Sequence, residues 1–271
     1  MQFLRVTGLF ACLMYLVFLP TFVQIMKHLF EHFGKIILMV KGGLRKPENL
    51  KVYWIEFMEQ CNDIGIGSLP LVIIISLFIG MVMTVQFSYQ LVSPFVPKSI
   101  IGTLVRDSAI LEFSPTVTCI VLAGVVGSKI ASELGNMRVS EQIDALEIMG
   151  INSKSYLIVP KILAGMIVIP CLITSAIAIS IAGGYLAGLF SNIVTKQQFL
   201  DGLTTGFVPY NLFFAMIKSF TFSLIITIIP SYFGYYVKGG ALEIGRASTL
   251  SVVVSCVLIL CADYVLSLIL L

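Results

Sequence analysis

Two histidines and a glutamate near the N-terminus have the spacing of a zinc-protease motif. His28, Glu31 and His32 match the H-x-x-E-H pattern, in which two imidazoles one helical turn apart bind the metal. That chemistry needs a third ligand and an aqueous cleft, whereas these are the chain's two histidines and they precede a basic loop. We therefore interpret residues 25–40 as an interfacial amphipathic helix and predict no metal site.

The motifs of nucleotide binding and of serine hydrolysis are missing from the sequence. No G-x-x-x-x-G-K-[ST] phosphate loop occurs, and residues 124–129 are too short to form one. No G-x-S-x-G elbow is present, and no histidine follows His32, so a Ser-His-Asp triad is hard to build. We predict that this chain has no catalytic residue and binds no cofactor itself.

Two ionisable residues, Glu112 and Lys218, lie in apolar stretches where a bilayer makes charge costly. The cost at a helix centre is about 2.5 to 3.5 kcal/mol for each residue. Pro115 fits the first turn of a helix, so we expect the second span to begin near Glu112. Dipole compensation of the glutamate and snorkelling of the lysine would then explain both residues structurally. The functional alternative places both on a pathway that meets a charged headgroup.

Residues 138–149 (RVSEQIDALEIM) form a short amphipathic pattern, which Gly150 ends. Apolar residues recur on one helical face and charged residues on the other. Three acids suit an anionic lipid surface poorly, so the pattern favours docking to a protein partner. The predicted docking residues are Arg138, Glu141, Gln142, Asp144 and Glu147.

The elements that must position these residues are transmembrane helices. Hydrophobic residues make up 58% of the 271 residues and charged residues only 11%, whereas a soluble domain has roughly 25% charged residues. A net charge of +3 offers no field suited to nucleic acid. Five stretches can each cross a hydrocarbon core about 30 Å thick: 68–89, 114–130, 162–190, 212–236 and 248–271. Asp263, in the last of them, needs a partner or an interfacial position.

Residues 1–25 form an extra apolar segment, which Arg5, Gly8 and Pro20 weaken as a sixth span. Translation from Met26 would remove this segment, and we keep that as an expectation. Residues 26–67 are predicted to form the interfacial helix and a cytoplasmic elbow, and residues 68–271 the five-helix domain.

Lysine and arginine are distributed unevenly between the two sets of connecting segments. Twelve lie in residues 26–67, 131–161 and 237–247 and their flanks, and three in the alternate loops: Lys98, Arg106 and Lys196. Because basic residues resist translocation, the first set is predicted to be cytoplasmic and the C-terminus periplasmic.

Small residues recur at four-residue spacing in the second and third spans. Such ladders let helix backbones approach closely. Packing within the chain, a subunit interface and a moving seam all remain open as their role. The predicted packing glycines are Gly124, Gly127, Gly135, Gly184 and Gly188.

A long block of mixed small and polar residues, 122–146 (LAGVVGSKIASELGNMRVSEQIDAL), resembles the MlaE/YrbE permease family. The likeness extends over residues 29–271 and includes residues 78–82 (FIGMV), Glu112 with Pro115, and residues 245–247 (GRA). The family commonly has arginine where this chain has Leu111 and Val125. These two departures affect the polar details of the lipid pocket.

The resemblance implies the permease subunit of an ABC-type phospholipid transporter in the inner membrane of a double-membraned bacterium. It implies two copies of this chain, a cytoplasmic ATPase that binds ATP and Mg²⁺, a periplasmic MCE-domain protein and, in some systems, a STAS-domain subunit. Residues 138–149 match the family's cytoplasmic coupling helix, so their charges would meet the ATPase.

The sequence thus predicts an all-α integral membrane protein with an interfacial helix, five transmembrane helices and a coupling helix. The leading interpretation is a homodimeric phospholipid permease driven by a partner's ATP hydrolysis. One alternative is an ion-coupled secondary transporter in which Glu112, Lys218 and Asp263 form a relay. A third is an intramembrane lipid-modifying enzyme that uses His28 and His32.

Overall fold

The computed structural model describes residues 31–43, 50–91, 97–191 and 194–270, and every regular element in these ranges is helical. The extra segment 1–25 and His28 lie outside the described residues. The helices are α1 (31–43), α2 (Leu50–Gln90), α3 (Ser99–Val139), α4 (Gln142–Ile148), α5 (Ser153–Phe190), α6 (Lys196–Thr204), α7 (Pro209–Tyr235) and α8 (Ala241–Leu270).

Five of these helices, α2, α3, α5, α7 and α8, are long and apolar enough to cross a membrane. The predicted all-α membrane fold with five spans is therefore confirmed. We call the side of the bundle where α2, α5 and α8 begin and α3 and α7 end the basic side. It is the side that the lysine and arginine distribution assigns to the cytoplasm.

The helices are longer than their apolar stretches. The 41 residues of α2 are about 60 Å long at 1.5 Å per residue, twice the thickness of the hydrocarbon core. The described part of the predicted elbow from Leu50 onward is therefore continuous with the first span. Similarly, α3 begins at Ser99 and not near Glu112, so the expectation that Pro115 lies in a first helical turn is wrong. Pro115 lies inside the π-helical segment Ala109–Val117 of α3.

The predicted coupling helix 138–149 is shorter in the structure. Arg138 belongs to the end of α3, and a turn at Ser140 and Glu141 separates it from α4. Glu141 adopts a left-handed backbone conformation with φ of 60°, which a continuous α-helix does not allow. Of the predicted apolar face, Ile143 is fully buried but Met149 is 65% exposed.

The centre of the bundle is α5, which packs against α2 on one side and α7 on the other. The contact with α2 is backbone on backbone: a Cβ on Gly80 would lie 1.7 Å from the carbonyl oxygen of Ser180. Glycine at position 80 is thus a steric requirement. On the other side of α7, α8 packs along a row of buried serines: Ser248, Ser251 and Ser255.

Candidate functional site

Lys218 in α7 is completely buried and lies among three oxygen acceptors. Its Nζ donates to Oε1 of Glu112 at 2.9 Å and to the carbonyl oxygen of Leu111 at 3.0 Å. The same Nζ lies 2.5 Å from Oδ1 of Asp263 in α8, in ion-pair contact. The ring centroid of Phe214 is 4.7 Å away, within cation–π range. We call Glu112, Lys218 and Asp263 the charged triad.

Pro115 removes one backbone donor from the carbonyl that Lys218 contacts. A proline has no N–H, so Pro115 cannot donate to the carbonyl of Leu111, four residues earlier in the helix. The π-helical segment Ala109–Val117 shifts the hydrogen-bond register at this point of α3. The ammonium of Lys218 then donates to the carbonyl of Leu111. The carbonyl that loses the Pro115 donor is therefore the one that accepts a hydrogen bond from Lys218 of α7.

The triad has two carboxylates for one ammonium. The side chain of Asp263 is 14% exposed and that of Glu112 is 45% exposed, whereas that of Lys218 has no exposure at all. With all three groups ionised, the cluster carries one formal negative charge, presented mainly by Glu112. Lys218 does not snorkel and Glu112 does not lie at a helix N-terminus, so neither of the structural roles expected for them describes the site.

A second set of charges lies nearer the basic side, and sequence reasoning missed it. Lys161 of α5 donates to Glu133 of α3 at 2.7 Å, and Lys129 of α3 pairs with Asp63 of α2 at 2.9 Å. We call these four residues the basic-side cluster. The sequence held one signal for it: Glu133 follows Lys129 by four residues, so both lie on one helical face.

The region of the predicted ATPase dock is itself tied to the bundle. The hydroxyls of Ser153 and Tyr235 lie 2.8 and 3.0 Å from Oε1 of Glu147, and both donate to it. These hydrogen bonds, with the Ser153 bond the stronger influence, lower the pKa of Glu147. Arg138 pairs with Asp144 at 2.6 Å across the turn.

Of the predicted docking residues, Glu141 and Gln142 point outward at the start of α4. At its end, the apolar side chains of Ile148 and Met149 are 87% and 65% exposed. The exposed surface of α4 therefore combines polar and apolar groups.

The predicted packing glycines are in unequal surroundings. A Cβ on Gly184 would lie 2.7 Å from Oγ1 of Thr84, and one on Gly127 or Gly135 would lie 3.1 or 3.0 Å from a neighbouring side chain. Gly188 has ordinary spacing, and nothing lies within 4 Å of a Cβ on Gly124.

Arg106 is another buried cation, and its position differs from the one predicted. It was expected in a loop, yet it lies in α3 and is 3% exposed. Its guanidinium donates to carbonyl oxygens at the end of α6 and beyond, among them those of Leu203, Thr205 and Gly206. An arginine supplies several donors, so one side chain satisfies the unpaired carbonyls at this helix end.

The second histidine of the zinc-protease pattern makes a different contact. Nδ1 of His32 in α1 lies 2.5 Å from the hydroxyl of Tyr232 in α7. Within the part of the chain that the structure describes, no group of three or more potential ligands could hold a metal ion. His32 there attaches α1 to the bundle.

Known proteins resemble this chain over most of its length. The family profile "Permease MlaE" matches residues 57–269. A "Probable ABC transporter permease protein" of Rickettsia bellii is 35% identical over 237 residues, which cover 88% of this chain and 91% of that protein. "Intermembrane phospholipid transport system permease protein MlaE" of Haemophilus influenzae is 30% identical over 239 residues, covering 88% and 91%.

A plant protein is also similar. "Protein TRIGALACTOSYLDIACYLGLYCEROL 1, chloroplastic" of Arabidopsis thaliana is 34% identical over 234 residues, which are 86% of this chain and 65% of the plant protein. The profile covers most of the chain, and the bacterial relatives align over nearly their whole lengths. The chain therefore belongs to the MlaE permease family and is a multi-pass permease subunit of an ABC transporter.

Proposed function

We propose that this chain moves phospholipid between the inner and outer membranes of a double-membraned bacterium, as a homodimer whose C-termini face the periplasm. The name of the Haemophilus influenzae relative supports a phospholipid cargo. The separation of basic residues supports the orientation. Five spans per chain leave little material to enclose a path for a two-tailed lipid, which supports two copies. A closed twofold pair is also the commonest homo-oligomer.

The observation that carries the proposal is the charged triad. A carboxylate within a span is costly, and Glu112 keeps 45% of its side chain exposed there. That cost is offset where the exposed carboxylate meets a polar headgroup or a hydrated path. Lys218, held by Asp263 and the carbonyl of Leu111, fixes the position of Glu112. Glu112 and Lys218 therefore shape the lipid pathway.

The same proposal assigns partners to the two ends of the bundle. A cytoplasmic ABC ATPase, which binds the ATP and Mg²⁺, docks on the basic side. The proposed contacts are Arg138, Glu141, Gln142, Asp144 and Glu147, with the exposed Ile148 and Met149 adding an apolar surface. A periplasmic MCE-domain protein receives or delivers the lipid on the opposite side, and a STAS-domain subunit joins in some systems.

Exchange of the charges tests the pathway role. A plain swap, Glu112→Lys with Lys218→Glu, is uninformative because the new glutamate would face Asp263. We therefore choose the triple variant Glu112→Lys, Lys218→Glu, Asp263→Asn, with Asp263→Asn alone as the matched control. Both retain one ion pair. With the ATPase in liposomes, the triple variant should assemble normally but transport phospholipid at least tenfold more slowly than the control. Equal transport by the two variants would mean that the ion pair has only a structural role.

The docking role is tested by reversing charge on α4 and its preceding turn. Glu141→Lys with Asp144→Lys should abolish co-purification of the ATPase, while the permease stays inserted and dimeric. Glu243→Lys on α8 is a matched control, because this exposed acid lies outside α4. An intact complex in the double variant would place the dock elsewhere.

One observation favours the ion-coupled alternative: two acids face one buried lysine, as in a proton or ion relay built from Glu112, Lys218 and Asp263. The two functions differ in energy source. Vanadate should stop ATP-driven phospholipid transport, and dissipating the ion gradient should leave it unchanged. The opposite result would establish the ion-coupled transporter.

A further inference from the structure

A small cavity lies between α2 and α3 on the basic side, away from the charged triad. Its volume is about 70 Å³, which admits a polar group of several heavy atoms. Its lining includes Gln60, Asp63, Ser68, Val125, Lys129 and Glu133. Gln60 and Ser68 are 5% and 1% exposed, so two buried polar side chains lie beside a lining that is otherwise largely apolar and includes Ile64, Val126 and Ile130.

The cavity lies where the hydrocarbon core meets the headgroups. Ser68 begins the apolar part of α2, and the helix from Ser68 to Gln90 rises about 33 Å at 1.5 Å per residue, close to the thickness of that core. On α3, Lys129 is the first charged residue after the apolar stretch that begins at Phe113. Asp63 and Lys129 are thus at headgroup level in the leaflet on the basic side.

The charges near the cavity form two ion pairs, which differ in solvent exposure. In the first pair, Lys161 is 1% exposed and contacts Glu133. In the second pair, the side chains of Lys129 and Asp63 are 53% and 41% exposed. Exposed ion pairs of this kind contribute little to stability. An incoming ligand can therefore separate Lys129 from Asp63 at small cost, provided that it brings one positive and one negative group.

We propose that this cavity binds the headgroup of a zwitterionic phospholipid from the leaflet on the basic side. The phosphate pairs with Lys129 and the ammonium group with Asp63, so the number of ion pairs rises by one on binding. A headgroup with phosphate alone leaves Asp63 without a cation and binds less well. The inference rests on the proposed phospholipid transport, for which the cavity selects and holds the lipid before it moves.

Photo-crosslinking of lipid to the full chain tests the site without transport. Val125, 40% exposed at the cavity, is replaced by p-benzoylphenylalanine, and the chain is placed in liposomes of equal phosphatidylethanolamine and phosphatidylglycerol without ATP. The matched control carries the same group at Val253 of α8, which is 53% exposed. We expect at least threefold enrichment of phosphatidylethanolamine at position 125 and the bulk ratio at position 253. Equal ratios at the two positions would overturn the proposal.

A second variant assigns the recognition to Asp63. Asp63→Asn should return the ratio at position 125 to the bulk value, because the ammonium group loses its anion. Glu243→Gln, which removes the acid of the exposed pair with Arg246, should leave the ratio unchanged. Persistent enrichment in Asp63→Asn would refute the assignment even if transport is normal. Enrichment without ATP-driven transport would instead contradict the proposed function and leave the binding site intact.

Discussion

Lys161 and Lys218 are both completely buried, yet their surroundings differ in charge balance and in access. Lys161 has one carboxylate partner, Glu133, whose side chain is 38% exposed. Lys218 has two, and one of them, Asp263, is only 14% exposed. The first lysine has one carboxylate to balance, whereas the second is outnumbered by two carboxylates.

The difference shows how burial of a lysine can serve two purposes. Removal of a buried partner is costly in proportion to how far the remaining charge is kept from water. Glu133 reaches solvent without Lys161, so that pair mainly fastens α3 to α5. Asp263 cannot, so Lys218 is required wherever Asp263 is ionised. The surplus carboxylate of the charged triad is the group that the proposed function places on the lipid pathway.

The largest effect is expected for Lys218→Met, which leaves Asp263 buried and unpaired beside Glu112. Breaking a buried pair in this way costs about 3 to 5 kcal/mol. We expect a large drop in the thermal midpoint of the detergent-solubilised chain, measured by fluorescence-detected gel filtration after heating. Lys218→Met with Glu112→Gln and Asp263→Asn should recover most of the midpoint but not transport. A native midpoint in the single variant would remove the contrast between the two lysines.

Lys161→Met should destabilise the chain less, because Glu133 keeps access to water. The loss is a charged hydrogen bond, about 1.5 to 3 kcal/mol. The same heating assay, run beside Lys218→Met, measures the difference directly. If both variants lose equal stability, exposure of the remaining acid is not what separates the two sites.

The sequence predicted the spans because long, almost uncharged apolar runs are typical of helices that cross a bilayer. It did not predict where the helices begin, since α2 and α3 continue beyond the uncharged apolar runs into stretches that contain charged residues, as from Leu50 to Ser68 in α2. Glu112 and Lys218 could be identified by their cost in a bilayer. Asp263 was grouped with them only in the ion-coupled alternative, and the contact of its carboxylate with Lys218 depends on the packing of α7 and α8, which sequence pattern alone does not encode.

Lys161 illustrates the reverse error. It was counted with the basic residues of a predicted cytoplasmic segment, but the residue lies inside α5 and is fully buried. The distribution of charge along a sequence indicates which side of the membrane a segment faces. It does not show whether an individual lysine reaches water. The contact with Glu133 shows that Lys161 belongs to a structural ion pair.

Glu147 extends the comparison to an acid outside the spans. Its pKa is lowered by the hydroxyls of Ser153 and Tyr235, so these bonds stabilise the position of α4 above the ordinary carboxyl pKa of about 4.3. The contribution is lost as the pH falls through the lower pKa of the folded state. We expect the hydrogen-exchange protection factors of α4, which correct for the slower intrinsic exchange in acid, to fall on acidification, and Glu147→Gln should remove most of this dependence. Protection that falls equally in the variant would assign the effect to other groups.

The smallest effects are expected where both partners reach solvent. Lys129 with Asp63 and Arg246 with Glu243 are such pairs, at 2.9 and 2.7 Å. Exposed pairs contribute about 0 to 1 kcal/mol, and salt weakens them. Asp63→Asn and Glu243→Gln should therefore shift the thermal midpoint by similar small amounts. Because the two variants are equally stable, a loss of headgroup preference in Asp63→Asn alone could not be attributed to unfolding. A large destabilisation by Asp63→Asn would instead make its ion pair structural, and Asp63 would join Lys161 as a fastening between helices.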